Sequence, residues 1–286
     1  MLPPKRILFP VDYSEPGSAL APYVKDILDH FSGELTLLHA YGPVGHAYQE
    51  LALADPRLPE QLREREERRL RAFALETFPG RQVETVVVNA EPGDAIRDLV
   101  ADRGADLAML STHGYGPLRR LLLGSTAAKA LHDLDCAVWT ANGLVTSRSQ
   151  PVIPYRSILC AVDQSESAEV AARAAHRIAE TYHARLTLMH VVETPPASIE
   201  IDFEPMRKTL CDEADFRLRE LKTKLEIDGP HAVLDGGVAE ATRDEAVRRE
   251  ADLIVIGRGR IQGLISRLWA HSYAIARDAP CPVLSV

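Results

Sequence analysis

The feature that most constrains the fold of this 286-residue chain is that it carries its own pattern twice. KRILFPVDYSEPGSAL at 5–20 returns as RSILCAVDQSESAEVA at 156–171, and ELTLLHA at 34–40 returns as RLTLMHV at 185–191. GADLAML at 104–110 is matched by EADLIVI at 250–256, and DCAVWTA at 135–141 by PCPVLSV at 280–286. The first two pairs are offset by 151 residues (5 to 156, 34 to 185) and the third by 146 (104 to 250), so the copies differ by a few loop residues. A repeat of this length is a domain, not a solenoid unit. The segment LVTSRSQPVIP at 144–154 combines Ser, Gln and two prolines and marks the boundary, giving domains of 1–147 and 148–286.

Within the first copy, Ile7–Val11, Leu35–Ala40, Val83–Val88, Leu107–Leu110 and Ala137–Ala141 read as short strands, and Pro282–Val286 closes the second copy in the same way. Their aliphatic character is continuous, as expected for parallel strands covered on both faces. Residues 16–31, 93–103 and 125–133 read as helices, with Pro16 tolerable near a helix start. The Arg/Glu-rich 58–78 reads as a longer helix with a solvated face and i,i+4 pairs. Strands alternating with helices define an α/β domain with crossover connections. In the second copy Glu193–Glu204 is an insertion whose prolines oppose a continuous helix.

Composition removes several classes of function. The formal net charge is -8, and no basic patch is large enough for a phosphate backbone, so no nucleic-acid partner is expected. No apolar run approaches bilayer thickness, and MLPPKRILFPVDYS enters a strand without a secretory apolar core. Cys136, Cys160, Cys211 and Cys281 lack metal-ligand spacing and read as reduced thiols, with disulfides as the second reading. A cytoplasmic protein without membrane contact is expected.

The stretch STHGYGPLRRLLLGST at 111–126 follows the DLAML strand and leads into a helix near Gly124-Ser125. In open α/β sheets ligands favour such carboxyl ends of strands. Gly114 and Gly116 allow close backbone approach, and the N–H groups and hydroxyls of Ser125 and Thr126 could face phosphate oxygens. Arg119 or Arg120 would add charge, with Lys129 further into the helix. A second reading stays open, in which the glycines form a tight turn and Ser125 caps the helix. The pattern is neither a Walker loop nor a closely spaced GxGxxG.

ILFPVDYSE, the LLHA strand, the DLAML strand and the HG–GS loop follow in that order in the first copy, and over nearly all of both halves the chain resembles a tandem universal stress protein. The resemblance implies two tandem open-sheet, Rossmann-like α/β domains of the adenine-nucleotide-hydrolase type, each with a mainly parallel five-stranded sheet flanked by helices. It also implies ATP as ligand, accompanied by Mg²⁺, with ADP or AMP as other occupants. In the nucleotide-binding branch, a glycine, two residues and a second glycine precede nine residues and Gly-Ser/Thr. Gly114, Gly124 and Ser125 match this pattern, whereas Ser111 stands at the first glycine. Carried over by position, Asp12, with Pro10 and Val11 beside it, meets the adenosine portion. Ala40 and Leu110 line the adenine pocket, and Gly114, Gly124, Ser125 and Thr126 hold the ribose and phosphates. A helix cap or turn acceptor is the simpler role for Asp12, and core packing for Ala40 and Leu110. His39 reads as a satisfied, partly buried imidazole, and His113 alone establishes no acid–base chemistry.

The second copy departs from the pattern. Gly257 and Asp163 match, but Arg260 replaces the second glycine and Ala270-His271 replaces Gly-Ser, so no ATP is expected there. Arg258, Arg260 and Arg267 leave an anion site open, against the ordinary reading of exposed arginines. The family's last strands meet across a dimer interface, which implies an intrachain pseudo-dimer and allows a homodimer. The resemblance thus implies a stress-response protein whose conformation or association with a signalling partner responds to nucleotide. It also allows slow ATP hydrolysis, although no catalytic residue or metal ligand is identified. A nucleotide-independent interaction module and an enzyme acting on an adenosine-containing substrate are the other readings.

Overall fold

The computed structural model describes residues 3–42, 57–112, 123–165, 167–193, 204–258 and 265–286. Gly114, Gly116, Arg119, Arg120, His113 and Arg260, and most of the 193–204 insertion, lie outside them. The chain divides into two compact units, Met1–Trp139 and Thr140–Val286.

In the first unit, β1 (Arg6–Pro10), β2 (Glu34–Tyr41), β3 (Val83–Asn89), β4 (Leu107–Ser111) and β5 (Ala137–Ala141) lie in the order β3-β2-β1-β4-β5. β1 runs parallel to β2, with Ile7 opposite Leu35, and parallel to β4, with Ile7 opposite Leu107; β2 runs parallel to β3. Ile7, Leu8 and Phe9 are all buried, because helices cover both faces of the central strand. The connections leave β1 on one side toward β3 and return on its other side at β4. That reversal opens a crevice above the carboxyl ends of β1 and β4.

The helices are α1 (Glu15–Ser18), α2 (Ala21–Phe31), α3 (Leu58–Thr77), α4 (Pro92–Arg103) and α5 (Ser125–Asp133). The predicted single helix over 16–31 is therefore two. Pro22 at the start of α2 has no N–H to continue the ladder, and Leu20 N donates to Gly17 O in a tighter turn. In α2, Tyr23, Val24, Ile27 and Leu28 turn inward at helical spacing, and Ser32 ends the helix in the left-handed region. α3 is laced with exposed pairs such as Arg68–Glu64 and Arg71–Glu67, as its composition predicts. It also has a narrow buried stripe of Glu66, Leu70 and Ala74, and Glu66 is a carboxylate the sequence reading placed in solvent.

The second unit repeats the arrangement with β6 (Ser157–Ala161), β7 (Arg185–Val192), β8 (His231–Asp235), β9 (Leu253–Ile256) and β10 (Val283–Ser285), in the order β10-β9-β6-β7-β8. All four of these pairings are parallel. Its helices are α6 (Gly143–Thr146), α7 (Ser167–Tyr182), α8 (Glu204–Lys224), α9 (Val238–Arg248) and α10 (Ile265–Asp278). The strands of each copy form an open, mainly parallel set of five flanked by helices, so the α/β class holds.

One side-chain device recurs. Asp106, just before β4, accepts the backbone N–H groups of Lys5 and Arg6 at 3.0 and 3.1 Å. Asp252, just before β9, accepts those of Arg156 and Ser157 at 2.8 and 3.0 Å. Each aspartate ties the start of the unit's first strand to its fourth, which explains the recurrence of Ala-Asp-Leu in both copies. Burial pushes the Asp252 carboxyl up, against the pull of those two N–H groups.

A second device holds the start of the second unit. Asn142 is 2% exposed and makes four hydrogen bonds. Its Nδ2 donates to the Arg277 and Ala279 carbonyls, both at 2.8 Å, while its Oδ1 accepts Leu144 N and Val145 N at the start of α6. Among the described cysteines, Cys136, Cys160 and Cys281 are buried free thiols, and burial pushes the last two well up.

Candidate functional site

A cleft of about 210 Å³ opens above the carboxyl ends of β1, β2 and β4 in the first unit. It is lined by Pro10, Val11, Asp12, Ala40, Leu110, Ser111, Gly124, Ser125 and Thr126, which are nine of the ten site positions chosen from sequence. The tenth, Gly114, lies outside the described residues. The strand ends supply the apolar floor, and the start of α5 supplies the polar wall.

Asp12 leaves β1 as a turn acceptor: its Oδ1 takes Ser14 N at 2.9 Å and Ser14 Oγ at 2.7 Å. The helix cap is Ser14, whose Oγ accepts Gly17 N at 3.0 Å. An added Cβ at Gly17 would lie 2.5 Å from Asp12 Oδ1, so glycine is what allows this carboxylate to lie against α1. At the opposite wall, Gly124 and not Ser125 occupies the cap position of α5, with no side-chain cap bond. Gly124 N donates to Thr112 O at 2.7 Å, and a Cβ there would meet that oxygen at 3.1 Å. The cap reading of Ser125 is thus replaced. Ser125 is the first helical residue and is exposed, so its N–H has no intrahelical partner to find.

Lys129 is engaged by carboxylates of the protein itself. Its Nζ is held by Asp94 Oδ1 at 2.7 Å, and this contact holds the Asp94 carboxyl below its ordinary range. Gly17, Leu38, Pro92, Ile96, Thr112 and Ala127 also line the cleft. Pro92 and Ile96 share one face of α4 at i,i+4 spacing, a signal present in the sequence but meaningless until the strand order is known.

Behind Asp12 lies a cluster that the sequence reading resolved only in part. His39, 9% exposed, has Nδ1 2.7 Å from Val11 O. Because a carbonyl only accepts, Nδ1 carries a proton and His39 fixes the backbone entering the Asp12 turn. Its Nε2 lies 3.6 Å from the buried Glu66 Oε2. Tyr13 sits in the left-handed region at φ 59, where its ring packs 4.7 Å from the His39 ring and 3.7 Å from the Arg69 guanidinium carbon. These contacts offset the roughly 1–2 kcal/mol a non-glycine residue loses in that conformation. Burial pushes the Tyr13 phenol up to about 12, with Arg69 opposing and Glu66 reinforcing.

The folded protein therefore binds this proton more tightly than the unfolded chain, whose tyrosine titrates near 10.0. The neutral phenol's contribution is complete below that value and is lost as pH rises toward about 12. The phenol that Tyr13→Phe removes from the ultraviolet titration should be one that ionises late, and the substitution should flatten the alkaline loss of stability. An ordinary Tyr13 titration would contradict this account of the cluster.

Among the described residues no group of three His, Cys, Asp or Glu side chains could hold a metal ion. None of the described helices is long and apolar enough to cross a membrane.

The model of the universal stress protein family matches residues 3–141 and again 154–286. A universal stress protein of Thermus aquaticus is 34% identical over 136 residues, 46% of this chain and 98% of that protein. A universal stress protein A homolog of Coxiella burnetii is 34% identical over 140 residues, 46% of this chain and 96% of its own length. These relatives correspond to half of this chain. Over the whole chain, a putative universal stress protein of Pseudomonas aeruginosa superposes with TM-score 0.67 at 18% identity, covering 99% of this chain and 93% of that one. One from Archaeoglobus fulgidus gives 0.59 at 18%, covering 98% and 95%. At that identity the likeness concerns the fold alone.

Proposed function

The chain belongs to the universal stress protein family, carrying its domain twice, and from that premise we propose that the first unit binds an adenine nucleotide, ATP in the first instance. The observation that carries the reading is the convergence of nine sequence-chosen positions, from four separate segments, on one cleft at the sheet's switch point. Val11, Leu38, Ala40, Ile96 and Leu110 offer an apolar slot for the base. Asp12 offers an acceptor for ribose hydroxyls. The close approach of Gly124 to Thr112 leaves the start of α5 open to phosphate oxygens. The described cleft is below the roughly 300–1,000 Å³ of drug-sized sites, so the phosphates extend past Ser125 and Thr126. Mg²⁺ would travel with them, since no described cluster supplies its ligands.

The output is a nucleotide-dependent change of conformation or of association, within a cytoplasmic stress response. Such a shift requires the nucleotide to favour one state. The second unit does not take ATP in this way, because Ala270-His271 replaces Gly-Ser. Ser111, a side chain where the family pattern has glycine, favours a second reading as a nucleotide-independent interaction module.

Calorimetric titration of the whole protein with ATP and ADP separates the two. One nucleotide per chain is expected. Absence of binding at physiological concentrations sinks the proposal, and two equivalent sites would overturn the asymmetry.

A further inference from the structure

We propose that the cleft of the second unit is a binding site of different chemistry, for an uncharged, largely apolar small molecule bearing hydrogen-bond donors, the class of phenols and aryl alcohols. The matching crevice above β6, β7 and β9 is about 600 Å³, against about 210 Å³ in the first unit. A further cavity of about 440 Å³ adjoins it, the two sharing Val162, Asp163, Gln164, Ser165, Ala168 and His190. Both volumes fall within the range of small-molecule sites.

Two replacements distinguish the inner cavity from its surroundings in the first unit. Gln164 stands where the first unit has Tyr13 (13 to 164) and is not left-handed, and its Oε1 accepts from Arg217 at 2.7 Å. Arg217 thereby takes the part of Arg69, which stacks on Tyr13. That equivalence aligns buried Ala214 with buried Glu66, each three residues before its arginine. The tyrosine ring and the carboxylate that fill the space beside His39 are both missing beside His190.

The lining selects the occupant. Val162, Val191, Val192, Val238, Ile256 and Ile275 make the walls apolar. Two acceptors face this space. His190 donates Nδ1–H to Val162 O at 2.8 Å, and the tautomer this selects has Nε2 as an acceptor, with no Glu66 counterpart opposite. Asp163 Oδ1 takes Ser165 N and Oγ at 3.0 and 2.6 Å, leaving Oδ2 open among the described residues. A ligand hydroxyl or N–H satisfies either.

Phosphate is disfavoured. His271 replaces Ser125, and its Nε2 meets Glu193 Oε1 at 2.8 Å, so a carboxylate sits at the end where phosphates would lie. The first unit has Gly42 at that position (42 to 193). Arg217 borders the inner cavity and opposes a cation there.

The probe is 2-naphthol, neutral and fluorescent, titrated into the whole chain. Saturable one-to-one binding is expected, and excess ATP should not displace it. Gln164→Tyr and Val238→Trp, which fill the inner and outer cavities, should each raise Kd at least tenfold at an unchanged unfolding temperature. No saturable binding would overturn the proposal. So would full affinity in whichever of the two variants folds, displacement by ATP, or tighter binding of cationic 1-naphthylmethylamine. Failure of ATP to bind the first unit would leave this site untouched, so the two proposals fail separately.

Discussion

Gly124→Arg is expected to abolish measurable ATP binding while leaving the fold intact. Gly124 has φ −61 and ψ 148, a conformation open to any residue, so the constraint is space and not backbone strain. On one side Thr112 O lies 3.1 Å from where a Cβ would be. A long side chain must therefore leave through the cleft, across the start of α5. The arginine charge would attract phosphate, but its stem would occupy the volume the phosphate needs, and the steric term wins. A loss of at least about 100-fold in affinity, about 2.7 kcal/mol, should be read by calorimetry. Gly124→Ala should cost only a few-fold, since a shift of a few tenths of an ångström relieves the contact. The second unit in fact carries alanine at the matching position, Ala270. Arg260→Ala should leave ATP affinity unchanged. Retained affinity in Gly124→Arg would move the nucleotide elsewhere.

Asn142→Leu is expected to be strongly destabilising although it conserves the size of the side chain. Leucine keeps the volume but deletes both donors and the acceptor, leaving the Arg277 and Ala279 carbonyls without those partners. The Leu144 and Val145 amides lose theirs too, but Leu144 is exposed to water and Val145 N keeps its bond to the Asn142 carbonyl at 3.0 Å. The two carbonyls dominate, for a total of about 3 kcal/mol. In a unit of this size that lowers the unfolding temperature by roughly 6–12 °C. Asn142→Asp preserves the acceptor for the two amides but points an anion at two carbonyl oxygens, and should be at least as damaging. Scanning calorimetry checks both, and a leucine variant as stable as wild type would mean that other groups satisfy these carbonyls.

The strands and most helices were legible because the repeat supplies an internal comparison, and because Ile, Leu and Val dominate strands buried on both faces. The α5 start at Gly124-Ser125 was legible from the loop pattern alone. The break at Ala19–Leu20 was also written in the sequence, as Pro22, but a proline two residues into a helix looks like one near its start. What stayed hidden depends on pairs of residues far apart in the chain. Glu66 sits among exposed arginines and glutamates, and only its meeting with His39 reveals it as buried. The inner cavity of the second unit is lined by Gln164 and Ala214 together, and neither residue alone announces a cavity. The substitutions at 260, 270 and 271 make that half look merely degenerate, whereas its packing makes it roomier.

The aspartate before the fourth strand has a consequence for how the chain is made. Asp106 grips Lys5 across 101 residues, so the central pairing of the first sheet cannot close until the fourth strand has left the ribosome. At about 5–20 residues per second that is a wait of roughly 5–20 seconds, during which β1 has only β2 as a neighbour. The second copy offers a near-identical grip through Asp252, and the two could exchange partners if both were unfolded together. Vectorial synthesis separates them in time: the first clamp can shut before its twin exists. Refolding the full chain from denaturant removes that order, and crossed pairing between the repeats becomes its characteristic error.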